Sequence, residues 1–322
     1  MSDDQQRPQA DAPRRPPPAG GEKTWGGPAF SQEPAMLGGR PHWLGRLVLY
    51  AVLLAFAAFY LAPLYVMVVT SLKSPAEIRE GSIFALPRVA EIDTWKYTWD
   101  EVCVSVNCGG MKPYFSNSLL VVIPAVLIST LIGAVNGYAL TFWSFRGSNL
   151  LFGLLLFSCF IPFQAIILPL AQLLGIVGLA STRGGLMLTY IVYGLGFTTL
   201  FFRNYYVTVP RELVRAATMD GAGFFGILWH ILLPISGPTI VVTLIWQFTQ
   251  IWNDFLFAVT LTDGAGQTLT VALNNLVRTS QATKRYDVDM AAAILTGLPT
   301  LLVFLLAGKY FVRGLTSGAV KG

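Results

Sequence analysis

The stretch Thr208–Pro238, TVPRELVRAATMDGAGFFGILWHILLPISGP, is a polar island between long apolar runs, and its reading decides the fold. Its first part reads as a short surface helix. Pro210 suits a first helical turn, where the missing N–H is not needed, and Glu212 lies near the positive end of the helix dipole. Ala216 and Ala217 offer a small, smooth face that another protein can approach closely. Gly221 is placed to end the helix, because glycine takes the left-handed conformation past a helix terminus without a Cβ penalty. A second short helix follows, with Phe224, Phe225, Ile227, Leu228, Trp229 and Ile231 to plant it, and Pro234 marks the expected turn into the next span. The product is a helix–glycine–helix elbow projecting from a membrane.

The flanking runs make it a membrane protein. The chain has 322 residues, of which 54% are hydrophobic and only 12% charged, against about a quarter charged in soluble domains. Charge-free runs of about twenty residues or more are long enough to cross the hydrocarbon core. They predict an all-α fold of six transmembrane helices, at about 44–72, 116–143, 150–174, 184–206, 235–261 and 290–312, inside a 42–312 membrane domain. Residues 1–41, rich in Pro, Gly and Gln, are expected to be a disordered tail, since they cannot bury enough apolar surface to offset chain entropy. An even span count places both termini on one side with the elbow (208–234), and basic residues favour the cytoplasm for that side. Residues 313–322 then form a second cytoplasmic tail.

The elbow resembles the coupling loop, or EAA motif, of permease subunits in ABC-type importers. Ala216, Ala217, Gly221, Ile231, Leu233 and Pro234 fall at the spacings of that motif. One position departs: Arg215 stands where the family usually has Glu. Either the partner surface has changed its charge, or Glu212, one turn earlier, takes the role. Asp220 joins these residues as a coupling candidate. Further segments are similar to the sugar-importer branch: Ser71-Leu72-Lys73, Asn117-Ser118-Leu119, Pro162-Phe163-Gln164 and Trp252-Asn253-Asp254-Phe255-Leu256. The tail from Arg313 to Gly322 looks like the end of the second permease of such pairs, and the chain resembles the glucose/mannose-type subgroup.

The resemblance implies a heterodimer with a second permease, two ATPase subunits that bind ATP and Mg, a periplasmic sugar-binding protein, and a place in the bacterial inner membrane in contact with lipid. No cofactor is expected on this chain. It has no Walker-type Gly-x-x-x-x-Gly-Lys-Ser/Thr, so it is not expected to be an enzyme by itself. Gly221–Gly226 formally matches Gly-x-Gly-x-x-Gly, but no βαβ unit surrounds it. No metal site is expected from two histidines and three cysteines without ligand spacing, and His230 has no nucleophile beside it. The net charge of +5 is scattered, with no basic stripe for nucleic acid.

Inside the fifth span, Thr239, Thr243, Gln247, Gln250 and Asp254 recur at steps of three and four, which puts them on one helical face. With Asn253 they are candidates for a translocation path or gate. Two readings stay open, hydrogen-bonded helix packing and direct solute contact, and an intramembrane carboxylate sharpens the second. Cys103 and Cys108 lie in the loop after the first span, as a local disulfide or as two free thiols. Cys159 is expected to pack inside the third span. Two rival functions share the pattern: an ABC permease for another solute, and a self-sufficient secondary carrier.

Overall fold

The computed structural model describes residues 42–105, 107–143, 145–278 and 284–319. The expected 1–41 tail and residues 320–322 of the second tail lie outside the described residues. The helices in chain order are α1 (His42–Ser71), α2 (Pro75–Glu80), α3 (Asp93–Asp100), α4 (Lys112–Phe142), α5 (Ser148–Ser158), α6 (Phe163–Ile176), α7 (Arg183–Tyr206), α8 (Arg211–Met219), α9 (Phe224–Ile227), α10 (Leu233–Ile235), α11 (Gly237–Trp252), α12 (Leu256–Leu261), α13 (Leu269–Arg278) and α14 (Tyr286–Ala319). A wide π turn, Leu228–Leu232, joins α9 to α10. One antiparallel hairpin, β1 (Cys103–Val104) with β2 (Asn107–Cys108), pairs Cys103 with Cys108, and these two cysteines carry a disulfide.

The chain divides into two compact units, Met1–Ala57 and Ala58–Gly322. The first contributes the opening half of α1. All packing described below lies within the second.

Among the described residues four helices, α1, α4, α7 and α14, are long and apolar enough to cross a membrane. Two bent pairs raise the number to six if each counts as one span. The first pair is α5 and α6, bent by 104°. The expected third span, 150–174, is therefore broken in the middle. Pro162 explains the break, since it caps α6 in an extended conformation and its ring disfavours a helical residue before it. The expected fifth span, 235–261, is also interrupted: α11 stops at Trp252 and α12 begins at Leu256.

α4 and α7 form the central pair and run parallel. Arg183 at the start of α7 donates to Asn117 Oδ1 near the start of α4, at 3.0 Å. Farther along, Gly133 faces Thr198 and Gly137 faces Phe202, so closely that a Cβ would come within 2.5 Å and 2.7 Å of their Cβ atoms. Small residues let the backbones approach, which is how membrane helices gain contact without a hydrophobic drive. Two parallel helices need a return path, and the bent α5–α6 pair supplies it. One core joins α4, α7, α11, α12 and α13. A second, with Ala134, Tyr138, Phe202 and Tyr206, seats the elbow at the other end of the same helices. The loop before α4 and the elbow thus occupy opposite ends of the bundle.

At the loop end, α14 starts on a fully buried carboxylate. Asp287 accepts from Arg285 Nη2 at 2.6 Å and from Thr94 Oγ1 of α3 at 3.3 Å. The two bonds satisfy the charge and pin the loop to the helix.

Candidate functional site

The elbow forms as its residues dictate, with two shifts. Pro210 caps α8 rather than entering it. Glu212 lies in the first turn. Val214 and Ala217 are buried in the elbow core, while Arg211, Glu212, Arg215, Ala216, Met219 and Asp220 are exposed. Gly221 has φ of +85°, its N–H donates to Thr218 O at 3.1 Å, and the N–H of Ala222 donates to Ala217 O at 2.9 Å. This is a complete Schellman cap, in which the last carbonyls of the helix find donors. Pro234 lies inside α10, and the turn comes two residues later, at Ser236, where the chain bends by 83° into α11. The reason is a hydroxyl: buried Ser236 donates to Leu232 O at 2.5 Å and its oxygen lies 3.4 Å from the Tyr206 hydroxyl, which fixes the corner against α7.

The side chains that plant the elbow are fewer than expected. Ile227 and Leu228 are buried, and Phe224 stacks against Tyr138 of α4 with centroids 4.5 Å apart. Leu233 and Ile231 pack at the margin of the same core. Phe225 and Trp229 point outward, as does His230. Among the described residues the ion pairs are Lys284–Asp289 and Arg285–Asp287, and neither includes a charge of the elbow.

The polar face of α11 opens into a cavity of about 430 Å³ between α6, α7, α11 and α12. Gln247, Gln250, Asn253 and Asp254 all line it. Thr243 is buried and donates to Thr239 O, so the first part of the expected stripe serves packing. Gln247 is buried as well, and its amide lies over Gly194 of α7, where a Cβ would overlap it. Asp254 Oδ2 accepts from Tyr190 Oη at 2.8 Å and from the N–H of Ala258 at 3.1 Å. The carboxylate thereby caps α12 and holds the α11–α12 break. Asn253 donates to Thr249 O at 3.0 Å and receives Thr300 Oγ1 of α14 at 3.5 Å.

Much of the remaining wall is aromatic, including Phe163, Tyr190, Tyr193, Phe197, Trp246 and Phe257. Sequence reasoning missed these residues. Aromatics on helix faces read as core, and nothing local links Tyr190 to Asp254. The cavity carries one carboxylate, three amides and no cation. Such a wall suits a neutral polar solute with apolar faces, and it offers nothing to neutralise an anion.

A multi-span bundle with a capped elbow at one end and a polar cavity between its helices is the membrane component of a transporter. The chain belongs to the family described as binding-protein-dependent transport system inner membrane component, whose model matches residues 125–317. It is 38% identical over 278 residues to a probable ABC transporter permease protein of Pyrococcus horikoshii, covering 86% of this chain and 98% of that one. It is 31% identical to a xylose/arabinose import permease of Haloferax volcanii, covering 86% and 94%. It is 32% identical to an arabinooligosaccharides transport system permease of Halalkalibacterium halodurans, covering 87% and 96%. Its fold is similar to a chain of a bacterial ABC transporter that imports the acidic polysaccharide alginate, with a TM-score of 0.74 at 20% identity over 85% of this chain and 99% of that one.

Proposed function

We propose that this chain is one of two membrane-spanning permeases of an ATP-driven carbohydrate importer in the bacterial inner membrane. The observation that carries the reading is the placement of α11. Its first residue follows the elbow corner at Ser236, and its last two turns, with the two residues after them, bear the polar wall of the cavity. Sixteen helical residues span about 24 Å, so one rigid rod joins the coupling surface to the solute path.

The roles follow from that rod. Glu212, Arg215, Ala216, Ala217, Asp220 and Gly221 present the elbow to an ATPase subunit, which binds the ATP and Mg. Ile231, Leu233 and Pro234 stiffen the link to Ser236. Closure of the ATPase pair displaces the elbow, and α11 carries the motion to Gln247, Gln250, Asn253 and Asp254. The cavity then opens toward an external sugar-binding protein. Amides and a carboxylate satisfy sugar hydroxyls, and the aromatic rings cover the C–H faces of the sugar. A second permease supplies the other half of the path. The elbow and both termini face the cytoplasm. The sugar names of the relatives support a carbohydrate, spanning pentoses and oligosaccharides. A glucose/mannose-type monosaccharide is the narrower form of the reading.

The test is a mild-detergent pull-down of the chain with its genomic neighbours, followed by uptake in proteoliposomes. A second six-span permease, a Walker-motif ATPase and ATP-dependent uptake of labelled glucose or mannose are expected. ATP-dependent uptake of a pentose or oligosaccharide instead would keep the importer and remove the glucose/mannose-type reading. Solute movement by this chain alone would make it a secondary carrier.

A further inference from the structure

At the loop end of the bundle, Lys73 follows the last turn of α1. It is only 3% exposed. Its ammonium donates to Ser82 O at 2.9 Å, and neither ion pair among the described residues includes it. A buried cation held by one neutral acceptor is short of an anion, since charges leave water at a cost of several kcal/mol.

Lys73 stands between two cavities of opposite character. One, of about 570 Å³, is lined by charges of both signs, including Arg88, Glu77 and Glu91. Glu77 accepts the N–H of Arg88 on Oε1 at 3.1 Å, while its Oε2 is buried without a partner. The other cavity, of about 280 Å³, is walled largely by apolar side chains such as Val66, Ile78, Ile83 and Met290. The turn between the two folds back along α1. Tyr65 Oη donates to Phe84 O at 2.8 Å, and Tyr65 sits six residues before the end of α1, roughly 9 Å down the helix. Ile83 and Phe84 are exposed there.

We propose that the two cavities form one site for a zwitterionic phospholipid whose head group ends in a primary amine. The phosphate neutralises Lys73, with Arg88 on the same wall. The ammonium donates to Glu77 Oε2, which has no other donor. The acyl chains leave along Ile83 and Phe84 over the apolar cavity. A free anion would satisfy Lys73 and leave Glu77 and the apolar wall unused. A choline head group carries no N–H for Glu77.

The assembled complex tests this by native mass spectrometry after exchange into nanodiscs of phosphatidylethanolamine, phosphatidylcholine or phosphatidylglycerol, with inorganic phosphate as a separate competitor. The wild type is expected to retain phosphatidylethanolamine at least tenfold over phosphatidylcholine. Lys73→Gln is expected to abolish retention. Glu77→Gln keeps the fold safer and is expected to erase only the preference for the primary amine. Retention indifferent to head group, or a preference unchanged in Glu77→Gln, would overturn the proposal. Displacement by millimolar phosphate alone would make this a free-anion site and overturn it as well.

Discussion

Tyr190 donates a 2.8 Å hydrogen bond to Asp254 Oδ2 across 64 residues of chain, and the same oxygen caps the first turn of α12. One carboxylate oxygen thus ties α7 to the break that follows α11, at the wall of the cavity. This relationship narrows the role of Asp254. Its first duty is to hold the cavity wall in place, and any contact with solute is a second.

Removing either partner separates the two duties. Tyr190→Phe keeps the ring and loses the bond, and side-chain hydrogen bonds between membrane helices contribute about 0.6 kcal/mol on average and at most about 1.7. A small drop in melting temperature and a fall in uptake of a few fold are expected. Asp254→Asn also removes the charge, so a larger loss of uptake with intact assembly is expected. Purified complex in proteoliposomes gives both readings, and normal uptake in Asp254→Asn would remove this residue from the pathway.

A second contact across the cavity is steric. Any Cβ at position 194 overlaps the Gln247 amide. Gly194→Ala is therefore expected to displace the Gln247 amide from Tyr190 O and to cost about 1 kcal/mol, the worth of that hydrogen bond. Gln247→Ala frees the space, so the double variant should recover stability relative to Gly194→Ala. Thermal unfolding of the three variants in detergent checks this, and a double variant no better than Gly194→Ala would refute the contact.

The parts legible in the sequence are those set by local chemistry. Apolar run length marks the four long apolar helices, and the Gly221 cap follows from the need for positive φ after a helix end. The turn at Ser236 was misplaced onto Pro234 because a proline is a visible breaker, whereas the corner depends on a bond from Ser236 to Tyr206, 30 residues away. The third span looked continuous because its hydropathy is, and the break needed weight on Pro162. Gln247 to Asp254 emerged from helical spacing, but Tyr190, Trp246 and Phe197 did not, since an aromatic facing a cavity and one facing a core look alike in one dimension.

Gly221 separates backbone strain from crowding. Its Cβ position is open, with no atom within 4 Å, so only its φ of +85° resists substitution. Gly221→Ala is expected to cost about 1 kcal/mol and to weaken coupling modestly. Gly221→Asp adds a second negative charge beside Asp220, and Gly221→Pro also loses the N–H bond to Thr218, so both are expected to uncouple ATP hydrolysis from uptake. Transport at the wild-type level in Gly221→Pro would sink the coupling role of the cap.

The hairpin offers a chemical test. Cys103 and Cys108 are bridged in the structure, and Cys159 is free. Maleimide labelling of denatured protein without reductant is expected to tag one thiol of three, and all three after reduction. The Cys103→Ser, Cys108→Ser pair loses loop-closure stabilisation of roughly 2 kcal/mol, which falls on a surface loop and should leave assembly intact. Equal labelling with and without reductant would reject the bridge.

The outward face of α8 is unevenly charged. Arg211 and Arg215 are one turn apart and share an edge, while Ala216 and Asp220 form the other edge, and Met219, 88% exposed, stands on the ridge between them with Glu212. None of these charges is in an ion pair among the described residues. A docking groove that accepts this helix therefore needs an apolar seat for Met219 and a carboxylate opposite the two arginines. Arg215→Glu reverses the edge and is expected to reduce ATPase co-purification tenfold or more, with Arg215→Gln intermediate. Raising salt should weaken the wild type more than Arg215→Gln, because exposed ion pairs are screened over about 10 Å at 0.1 M. If Arg215→Glu retained the ATPase as well as the wild type, the charge at this position would be idle and Glu212 would be left as the ionic contact of the elbow.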